Sequence, residues 1–227
     1  MLSRRDFLAI SALALPVFLP AQTKRTDTLS AAIAELGRKN GGRLGVAVLD
    51  TATVERTGHR ENERFPMCST FKFLLAAAVL QRVDRHQEKL ERTIAVPPKP
   101  LQPNSPLTGP HAGSMISVAA LCEAVLTVSD NTGANLLLET IGGSAGITSF
   151  AQSIGDNVTR LDRTETSLNQ ALPGDPRDTT SPAAMAEDLN RILLGDVLSA
   201  GSREQLVKWM QANQTGRDKL RAAIPAG

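Results

Sequence analysis

The sequence predicts an α+β fold, in which a small β-hairpin accompanies a larger helical part. Apolar residues alternate with small residues over 44–48, as in a strand with one face toward a core, and a second short strand is predicted over 54–60. Farther along the chain, apolar residues recur at helical spacing in a series of segments. A helix that ends at Asn40 precedes the hairpin, so the order is helix, two strands and then many helices.

Composition excludes several classes of protein. A chain of 227 residues suffices for one large domain or two small ones, and 41% hydrophobic with 21% charged residues is typical of a packed globular protein. The 25 basic and 23 acidic residues are too evenly balanced for a dedicated nucleic-acid-binding protein. Two cysteines cannot build a disulfide framework, and the three histidines do not have the spacing of a zinc site.

Residues 1–26 are predicted to be a twin-arginine export signal. Arg4 and Arg5 form the arginine pair, and apolar residues follow. The apolar stretch from Phe7 to Pro20 is too short to span a bilayer, so it has the character of a signal peptide. The alternative is a lipid-anchored or retained N-terminal helix. We expect export to the periplasm, with no stable membrane insertion once the signal is removed.

The remaining chain divides into three predicted parts. Residues 27–60 supply a helix and the hairpin, with the turn at 50–53. Residues 61–213 are expected to form an all-helical domain around a central buried helix, because residues 73–80 are apolar on every side. Residues 214–227 would begin a return to a sheet. Since a two-stranded hairpin is only marginally stable alone and we predict no strand after residue 60, this sheet should be incomplete.

Within the helical part, individual elements are marked by local signals. Six prolines between Pro97 and Pro110 exclude a helix there. The pair Ser181-Pro182 is typical of a helix start. The other predicted elements are helices over 118–128, 132–140 and 147–154, an irregular loop over 160–180, and a last helix with Leu206, Trp209 and Met210 on its apolar face.

Ser69 and Lys72 are candidates for chemistry because positions three apart share one face of a helix. A neighbouring base makes a serine hydroxyl a useful nucleophile, and desolvation beside the apolar helix would lower the pKa of a lysine. Ser69 would also lie near a helix N-terminus, which favours developing negative charge. The pattern S-x-x-K alone more often marks a helix cap beside a solvated lysine.

Three further features favour the chemical interpretation. Ser129-Asp130-Asn131 lies between two predicted helices, and Glu165 with Asn169 lies in the irregular loop. Arg163 and Asp178 bracket that loop, so an ion pair between them would close its neck. S-x-x-K followed by S-D-N is the signature of the penicillin-recognising serine enzymes. Together with E-x-x-L-N, the motifs resemble those of the class A serine β-lactamases across essentially the whole mature chain, which is expected to be C-terminally incomplete.

The resemblance implies a role for each motif residue. Ser69 attacks the β-lactam carbonyl and becomes acylated, while Lys72, or alternatively Glu165 acting through a water, removes its proton. Ser129 relays a proton to the leaving nitrogen, and Glu165 with Asn169 holds the water that hydrolyses the acyl-enzyme. The resemblance assigns catalysis to Ser69, Lys72, Ser129 and Glu165, substrate binding to Asn104, Asn131 and Asn169, and a structural role to Arg163 and Asp178.

The resemblance also implies the architecture and partners. The fold would be an all-helical domain beside a truncated α/β domain, with residues 160–180 forming the Ω loop of the family. The protein would act as a monomer on small β-lactam antibiotics, giving resistance, without metal or organic cofactor. Two alternatives stay open: a D-alanyl-D-alanine peptidase or penicillin-binding acyltransferase, which has no need to hydrolyse its acyl-enzyme quickly, and an inert truncated fragment.

Several positions depart from the pattern of the family. The K-T-G motif, which carries an oxyanion donor, would lie beyond residue 227, and losing one such donor typically costs ~10²–10³-fold in rate. We therefore expect these 227 residues alone neither to fold stably nor to hydrolyse β-lactams well. Asn104 stands where many relatives carry an aromatic residue. Cys68 resembles a position that forms a disulfide in some carbapenem-hydrolysing members, with a partner beyond residue 227, and Cys122 is expected to be a buried free thiol.

Overall fold

The structure, a computed structural model, describes residues 21–216 and 218–223. The predicted signal around Arg4 and Arg5, and the last residues 224–227, lie outside the described residues. The first described element is helix α1 (Ala21–Asn40), which ends at the predicted position. Its last turn carries Arg38 and Lys39, and positive charge there is favourable beside the negative end of the helix dipole.

Two antiparallel strands, β1 (Val46–Leu49) and β2 (Arg56–His59), form the predicted hairpin. The turn between them forms because the carboxylate of Asp50 accepts hydrogen bonds from the backbone N–H groups of Ala52, at 2.8 Å, and Thr53, at 3.1 Å. A short polar side chain that caps its own turn is the reason why the prediction from sequence succeeds here.

Helices cover the hairpin on two sides. Helix α1 packs on β2, where the Ser30 hydroxyl donates to the carbonyl of Gly58 at 2.8 Å. Helix α6 (Pro182–Leu194) packs on β1, and Arg56 of β2 forms an ion pair with Glu187 of α6. A helix from the predicted 61–213 region therefore covers the hairpin of the 27–60 region.

Helix α2 (Phe71–Asp84) forms the core of the helical part. Every residue from Phe71 to Leu80 is buried, as the uninterrupted apolar sequence predicts. Among the described residues, the helices that contact α2 most extensively occupy the segments that helical spacing predicted. These are α3 (Val118–Thr127), α4 (Asn131–Thr140), α5 (Ser144–Ser153) and α7 (Ala200–Gln211).

The expectation that no strand follows residue 60 is wrong. Strand β3 (Phe65–Pro66) pairs with β6 (Thr179–Thr180), and β4 (Thr93–Ala95) pairs with β5 (Met115–Ser117), both antiparallel. Strands of two or three residues are too short to show an alternating pattern, so the sequence does not reveal them. Neither pair joins the β1–β2 hairpin, and the β3–β6 pair fastens the end of the Ω loop to the chain just before Ser69.

Local signals at the helix ends behave as predicted. The Ser181 hydroxyl caps α6 by accepting a hydrogen bond from the backbone N–H of Ala184 at 3.2 Å. Gly142 and Gly143, which have φ angles of 92° and 76°, form the turn between α4 and α5. The G-x-S-x-G pattern at this point is therefore a helix–helix connection, as a helix before it indicated, rather than the strand-to-helix elbow of an esterase.

Both cysteines are free thiols in the structure. Cys122 is buried, which confirms its predicted state, and burial raises the pKa of its thiol and so makes it unreactive. Cys68 is exposed beside Ser69. Within the described residues, no helix is both long enough and apolar enough to cross a membrane.

Core packing around α2 gives a first testable prediction. Leu137 of α4 is fully buried, so Leu137→Ala should lower the free energy of unfolding by about 2–5 kcal/mol through lost burial and the cavity left behind. Leu194 at the end of α6 is 62% exposed, so Leu194→Ala should change it by less than about 0.5 kcal/mol. Urea unfolding of both variants measures the difference, and equal losses would contradict this packing.

Candidate active site

The local fold brings Ser69 and Lys72 together. Ser69 lies in a single 3₁₀ turn (Cys68–Thr70) that continues directly into α2, and Lys72 is in the first turn of that helix. The ammonium nitrogen Nζ of Lys72 lies 3.3 Å from Oγ of Ser69. Ser69 is exposed to solvent, whereas Lys72 is only 2% exposed. A reachable hydroxyl thus stands beside a buried amine.

Lys72 is the centre of the polar network. Its Nζ lies 2.9 Å from the carbonyl oxygen of Ser129, 3.0 Å from the hydroxyl of the same residue and 2.6 Å from Oδ1 of Asn131. It also lies 3.0 Å from Oε1 of Glu165. An ammonium has three hydrogens, so these oxygens and that of Ser69 share them. A proton can therefore pass between Ser69, Lys72 and Ser129 with little movement of heavy atoms.

Burial decides the electrostatic state of Lys72. Desolvation lowers the pKa of its ammonium below the ordinary value, and the negative charge of Glu165 only partly offsets this effect. Because its pKa is lowered, a larger fraction of Lys72 is the neutral amine at neutral pH, and the neutral amine is the form that accepts a proton. The desolvation predicted from the apolar sequence of α2 is thus present in the structure.

Glu165 faces Ser69 from the Ω loop. Its side chain is buried, with Oε1 at 3.5 Å from Oγ of Ser69, and its Oε2 accepts a hydrogen bond from Nδ2 of Asn169 at 2.8 Å. The predicted partners in the E-x-x-L-N motif are therefore in contact. A carboxylate and a side-chain amide that adjoin a nucleophile can together orient a water molecule.

Asn135 fixes the backbone of Glu165, and sequence reasoning missed it. Its Nδ2 donates to the carbonyl of Glu165 at 2.8 Å, and its Oδ1 accepts from the N–H of Glu165 at 2.9 Å. Asn135 stands four residues after Asn131 on α4, so the two side chains lie on one face of the helix. This spacing is the signal that would have revealed it.

Asp130 organises the S-D-N segment from within. It is fully buried and caps α4, with Oδ1 accepting from the N–H of Gly133 at 2.7 Å. Its Oδ2 accepts from the N–H groups of Leu107 and Thr108, each at 2.9 Å. Asp130 thus ties the proline-rich segment to α4 and supports Ser129, whose φ of 58° is rare for a non-glycine residue.

The two remaining predicted asparagines border the same network. Asn131 is buried and its Nδ2 donates to the carbonyl of Pro103 at 2.8 Å, which leaves an amide nitrogen with two hydrogens able to donate once more. Asn104 is exposed, and its Nδ2 donates to the carbonyl of Ser129 at 3.0 Å. Asn104 therefore braces Ser129 at the rim.

The predicted ion pair closes the neck of the Ω loop. Nε of Arg163 lies 2.5 Å from Oδ2 of Asp178, which is fully buried. Oδ1 of Asp178 accepts from the backbone N–H groups of Asp162 at 2.8 Å and Arg163 at 2.9 Å. One carboxylate thus joins the two ends of the loop that carries Glu165.

Removing the charge of Asp178 should loosen this loop. Asp178→Asn removes the charge opposite Arg163 and places an NH₂ donor against the donor Nε of Arg163 when the amide oxygen keeps the backbone bonds. We therefore expect a loss of about 3 kcal/mol in the free energy of unfolding, as for other broken buried pairs. Chemical unfolding measures it. Asp196→Asn makes the same substitution at an exposed position and should have almost no effect. Equal behaviour of the two variants would contradict a structural role for the pair.

A cleft of 430 Å³ opens beside Ser69, Lys72 and Ser129. Its wall is largely apolar, and Asn213 and Thr215 line it from the segment after α7, a contribution that the sequence did not suggest. A larger cavity of 630 Å³ lies behind the Ω loop around Leu172 and contains none of the predicted catalytic residues. In the described parts of the chain, no group of three or more His, Cys, Asp or Glu side chains could hold a metal ion.

Known proteins match both the sequence and this fold. Residues 28–227 match the sequence model of the Beta-lactamase enzyme family. Beta-lactamase L2 of Stenotrophomonas maltophilia is 46% identical, and Beta-lactamase OXY-1 of Klebsiella oxytoca is 42% identical. Each comparison covers 99% of this chain and 78% of the relative. The chain belongs to the class A β-lactamase family.

Solved structures of class A β-lactamases share the fold. The ancestral GNCA β-lactamase is 61% identical with a TM-score of 0.86, over 87% of this chain and 76% of that one. The class A β-lactamase of the last common ancestor of Gram-negative bacteria (GNCA4) is 62% identical with a TM-score of 0.85, over 88% of this chain and 76% of that one. The family and the α+β fold that the motifs predicted are therefore confirmed.

Proposed function

We propose that this protein hydrolyses the β-lactam ring of penicillin- and cephalosporin-type antibiotics through a serine acyl-enzyme, and so gives antibiotic resistance. The observation that carries the proposal is the contact of one buried ammonium, that of Lys72, with Ser69, Ser129 and Glu165 at 3.3 Å or less. Membership of the class A β-lactamase family supports it.

The first step acylates Ser69. Its Oγ forms a bond to the ring carbonyl carbon, the ring C–N bond breaks, and the Ser69 proton must reach the leaving nitrogen. Lys72 at 3.3 Å and Glu165 at 3.5 Å are both near enough to Oγ to take this proton. Because the hydroxyl of Ser129 lies 3.0 Å from Lys72, it can pass a proton on to the nitrogen.

The second step releases the product. Glu165 acts as the general base for a water that attacks the ester on Ser69, and Asn169 orients that water together with the carboxylate. A peptidase-type acyltransferase has no need for a buried carboxylate against its ester. The contacts of Glu165 with Ser69 and Asn169 therefore favour hydrolysis over the peptidase alternative.

Substrate binding is assigned to the border of the same cleft. The second N–H of Asn131 would donate to the amide side chain of the antibiotic, and Asn104 would line the rim beside it. The mechanism uses only side chains of the protein, so we propose that it needs neither a metal nor an organic cofactor. We further propose that the protein acts as a monomer.

Turnover of a chromogenic cephalosporin by the purified protein tests the function. We expect a transient adduct and release of the ring-opened product, with release by these 227 residues alone slowed by about 10²–10³-fold for want of the oxyanion donor of the K-T-G motif. A long-lived adduct without release would instead indicate the peptidase type, and the absence of any adduct would contradict the proposal.

We also propose export to the periplasm through the twin-arginine signal of residues 1–26. The arginine pair and the short apolar stretch after it support this assignment. Replacing both Arg4 and Arg5 with Lys should keep the protein in the cytoplasmic fraction of cells, since the replacement keeps the charge and removes the arginine pair. Unchanged recovery from the periplasmic fraction would contradict this route.

A further inference from the structure

Two buried carboxyl groups lie away from the candidate active site. Asp188 of α6 is fully buried, and Asp156, in the turn after α5, is 4% exposed. Oδ1 of Asp156 accepts from the backbone N–H groups of Val158 at 2.7 Å and Thr159 at 3.1 Å. Within the described residues, no donor reaches Oδ2 of Asp156 or either oxygen of Asp188 when both groups are written as carboxylates.

A single shared proton gives a partner to two of these three oxygens, Oδ2 of Asp156 and one oxygen of Asp188. Buried polar atoms without a hydrogen bond are costly. The side chains of Asp156 and Asp188 are close enough to hydrogen-bond each other, and two adjacent carboxylates cannot both be ionised cheaply in a buried place. A protonated carboxyl has an O–H donor, so a proton on Asp188 supplies the missing bond to Asp156. Two backbone N–H groups already stabilise negative charge on Asp156, so the proton belongs mainly to Asp188.

We propose that Asp156 and Asp188 share one proton at neutral pH, and that this pair positions the neck of the Ω loop. The two residues join the end of α5 to α6. The Ω loop begins after α5 and ends before α6, so the pair joins the two elements that flank the loop.

The contacts of Asp156 lead directly to the neck. The residue that it holds, Thr159, has its hydroxyl 2.6 Å from the hydroxyl of Thr180 at the other end of the loop. The next backbone N–H, that of Arg160, donates to the carbonyl of Thr179 at 3.0 Å. Asp188 lies on the helix that begins directly after Thr180 and Ser181. The pair thus acts on Glu165 only through the loop, as positioning residues.

The electrostatics of the pair agree with one shared proton. Burial, and next the carboxylate of Asp156, raise the pKa of Asp188 to about 8. Burial opposes ionisation of Asp156, but hydrogen bonds from Thr159 and Val158 outweigh it and lower the pKa of Asp156. Within the described part of the chain, the main other charges that act on Asp188 are those of Arg191 and Glu187. Nη1 of Arg191 lies 3.8 Å from Oδ1 of Asp188 and favours its ionisation, whereas Glu187 opposes it.

The sign of the pH dependence follows. In the unfolded chain Asp188 has its ordinary pKa of 3.8, so the native state holds more protons between that value and about 8. The stability contributed by the shared proton is complete below about pH 4 and is lost as the pH rises to about 8. Above that pH, two adjacent buried anions remain.

The variant Asp188→Asn distinguishes a protonated Asp188 from an ionised one, because an amide can donate to Asp156 but cannot ionise. We expect the melting temperature of the parent to fall relative to that of Asp188→Asn between pH 5 and pH 8, with the variant the more stable at pH 8. Asp196 is exposed, so the melting temperature of Asp196→Asn should vary with pH in the same way as that of the parent. In ¹³C-labelled protein, the Asp188 carboxyl carbon should titrate with a midpoint near 8.

Two results would overturn the shared proton: a carboxylate signal for Asp188 at pH 6, or a variant Asp188→Asn that is less stable than the parent at pH 8. Neither readout depends on β-lactam hydrolysis. The positioning role rests on the proposed function, and it predicts that Asp188→Asn keeps its hydrolysis rate to higher pH than the parent. If the hydrolysis rates of the variant and the parent fall at the same alkaline pH, the positioning role is refuted, but the shared proton is not.

Discussion

Replacing Glu165 with Gln is expected to trap the acyl-enzyme. The amide keeps the size of the side chain but cannot accept a proton from water, so release of the product should slow by about 10²–10⁴-fold. The adduct on Ser69 should then accumulate to nearly one per protein molecule. Quenching the reaction with acid at successive times, followed by mass spectrometry of the intact protein, measures both the amount of adduct and its decay.

A matched control separates this effect from a change in surface charge. Glu204 on α7 is exposed, so Glu204→Gln makes the same substitution away from Ser69 and should release product at the parental rate. Release by Glu165→Gln at that same rate would show that Glu165 is not the base for deacylation. Slow appearance of the adduct, rather than slow decay, would instead assign Glu165 mainly to acylation.

Replacing Lys72 with Met should have its largest effect on acylation. Methionine has a similar length but neither charge nor a proton-accepting nitrogen, so Ser69 loses its nearest base and Ser129 its route to a proton. We expect the rate of acylation to fall by about 10²–10⁴-fold. Rapid mixing with a chromogenic cephalosporin, under conditions where each protein molecule reacts once, measures this rate.

Lys208→Met is the control for Lys72→Met. Lys208 lies exposed on α7, so its replacement removes one positive charge without touching the network. An acylation rate for Lys72→Met equal to that of the control would exclude Lys72 from proton transfer. Glu165 at 3.5 Å from the Ser69 hydroxyl would then be the remaining base.

The sequence predicts those parts of the fold that local patterns determine. Helix α2 was predictable because an uninterrupted apolar run has to be buried, and the hairpin because Asp50 caps its own turn. Strands β3 to β6 were not predictable, since two or three residues carry no periodicity and their pairing depends on the tertiary fold. The packing of α6 on β1 was not predictable for the same reason, since it too depends on the tertiary fold.

The candidate site divides in a similar way. The proximity of Ser69 to Lys72 was predictable from helical spacing, whereas their chemical role and the approach of Ser129 and Glu165 came from the resemblance of four motifs to a known family. Asn135 was missed because its one signal is its spacing from Asn131, and the role of Asp130 because two of its partners, Leu107 and Thr108, lie on a distant segment. The side-chain hydrogen bond between Asp156 and Asp188 joins segments on either side of the Ω loop, so it too depends on the tertiary fold.

The most direct test of the Ser69 acyl-enzyme is to locate the adduct by peptide mass spectrometry in the Glu165→Gln protein after mixing with benzylpenicillin. The Ser69 O–H adds across the ring C–N bond and nothing leaves, so the peptide should gain the whole mass of the antibiotic, with fragment ions placing it on Ser69. An adduct on the adjacent Cys68 or on Lys72, or an unmodified Ser69, would contradict the account.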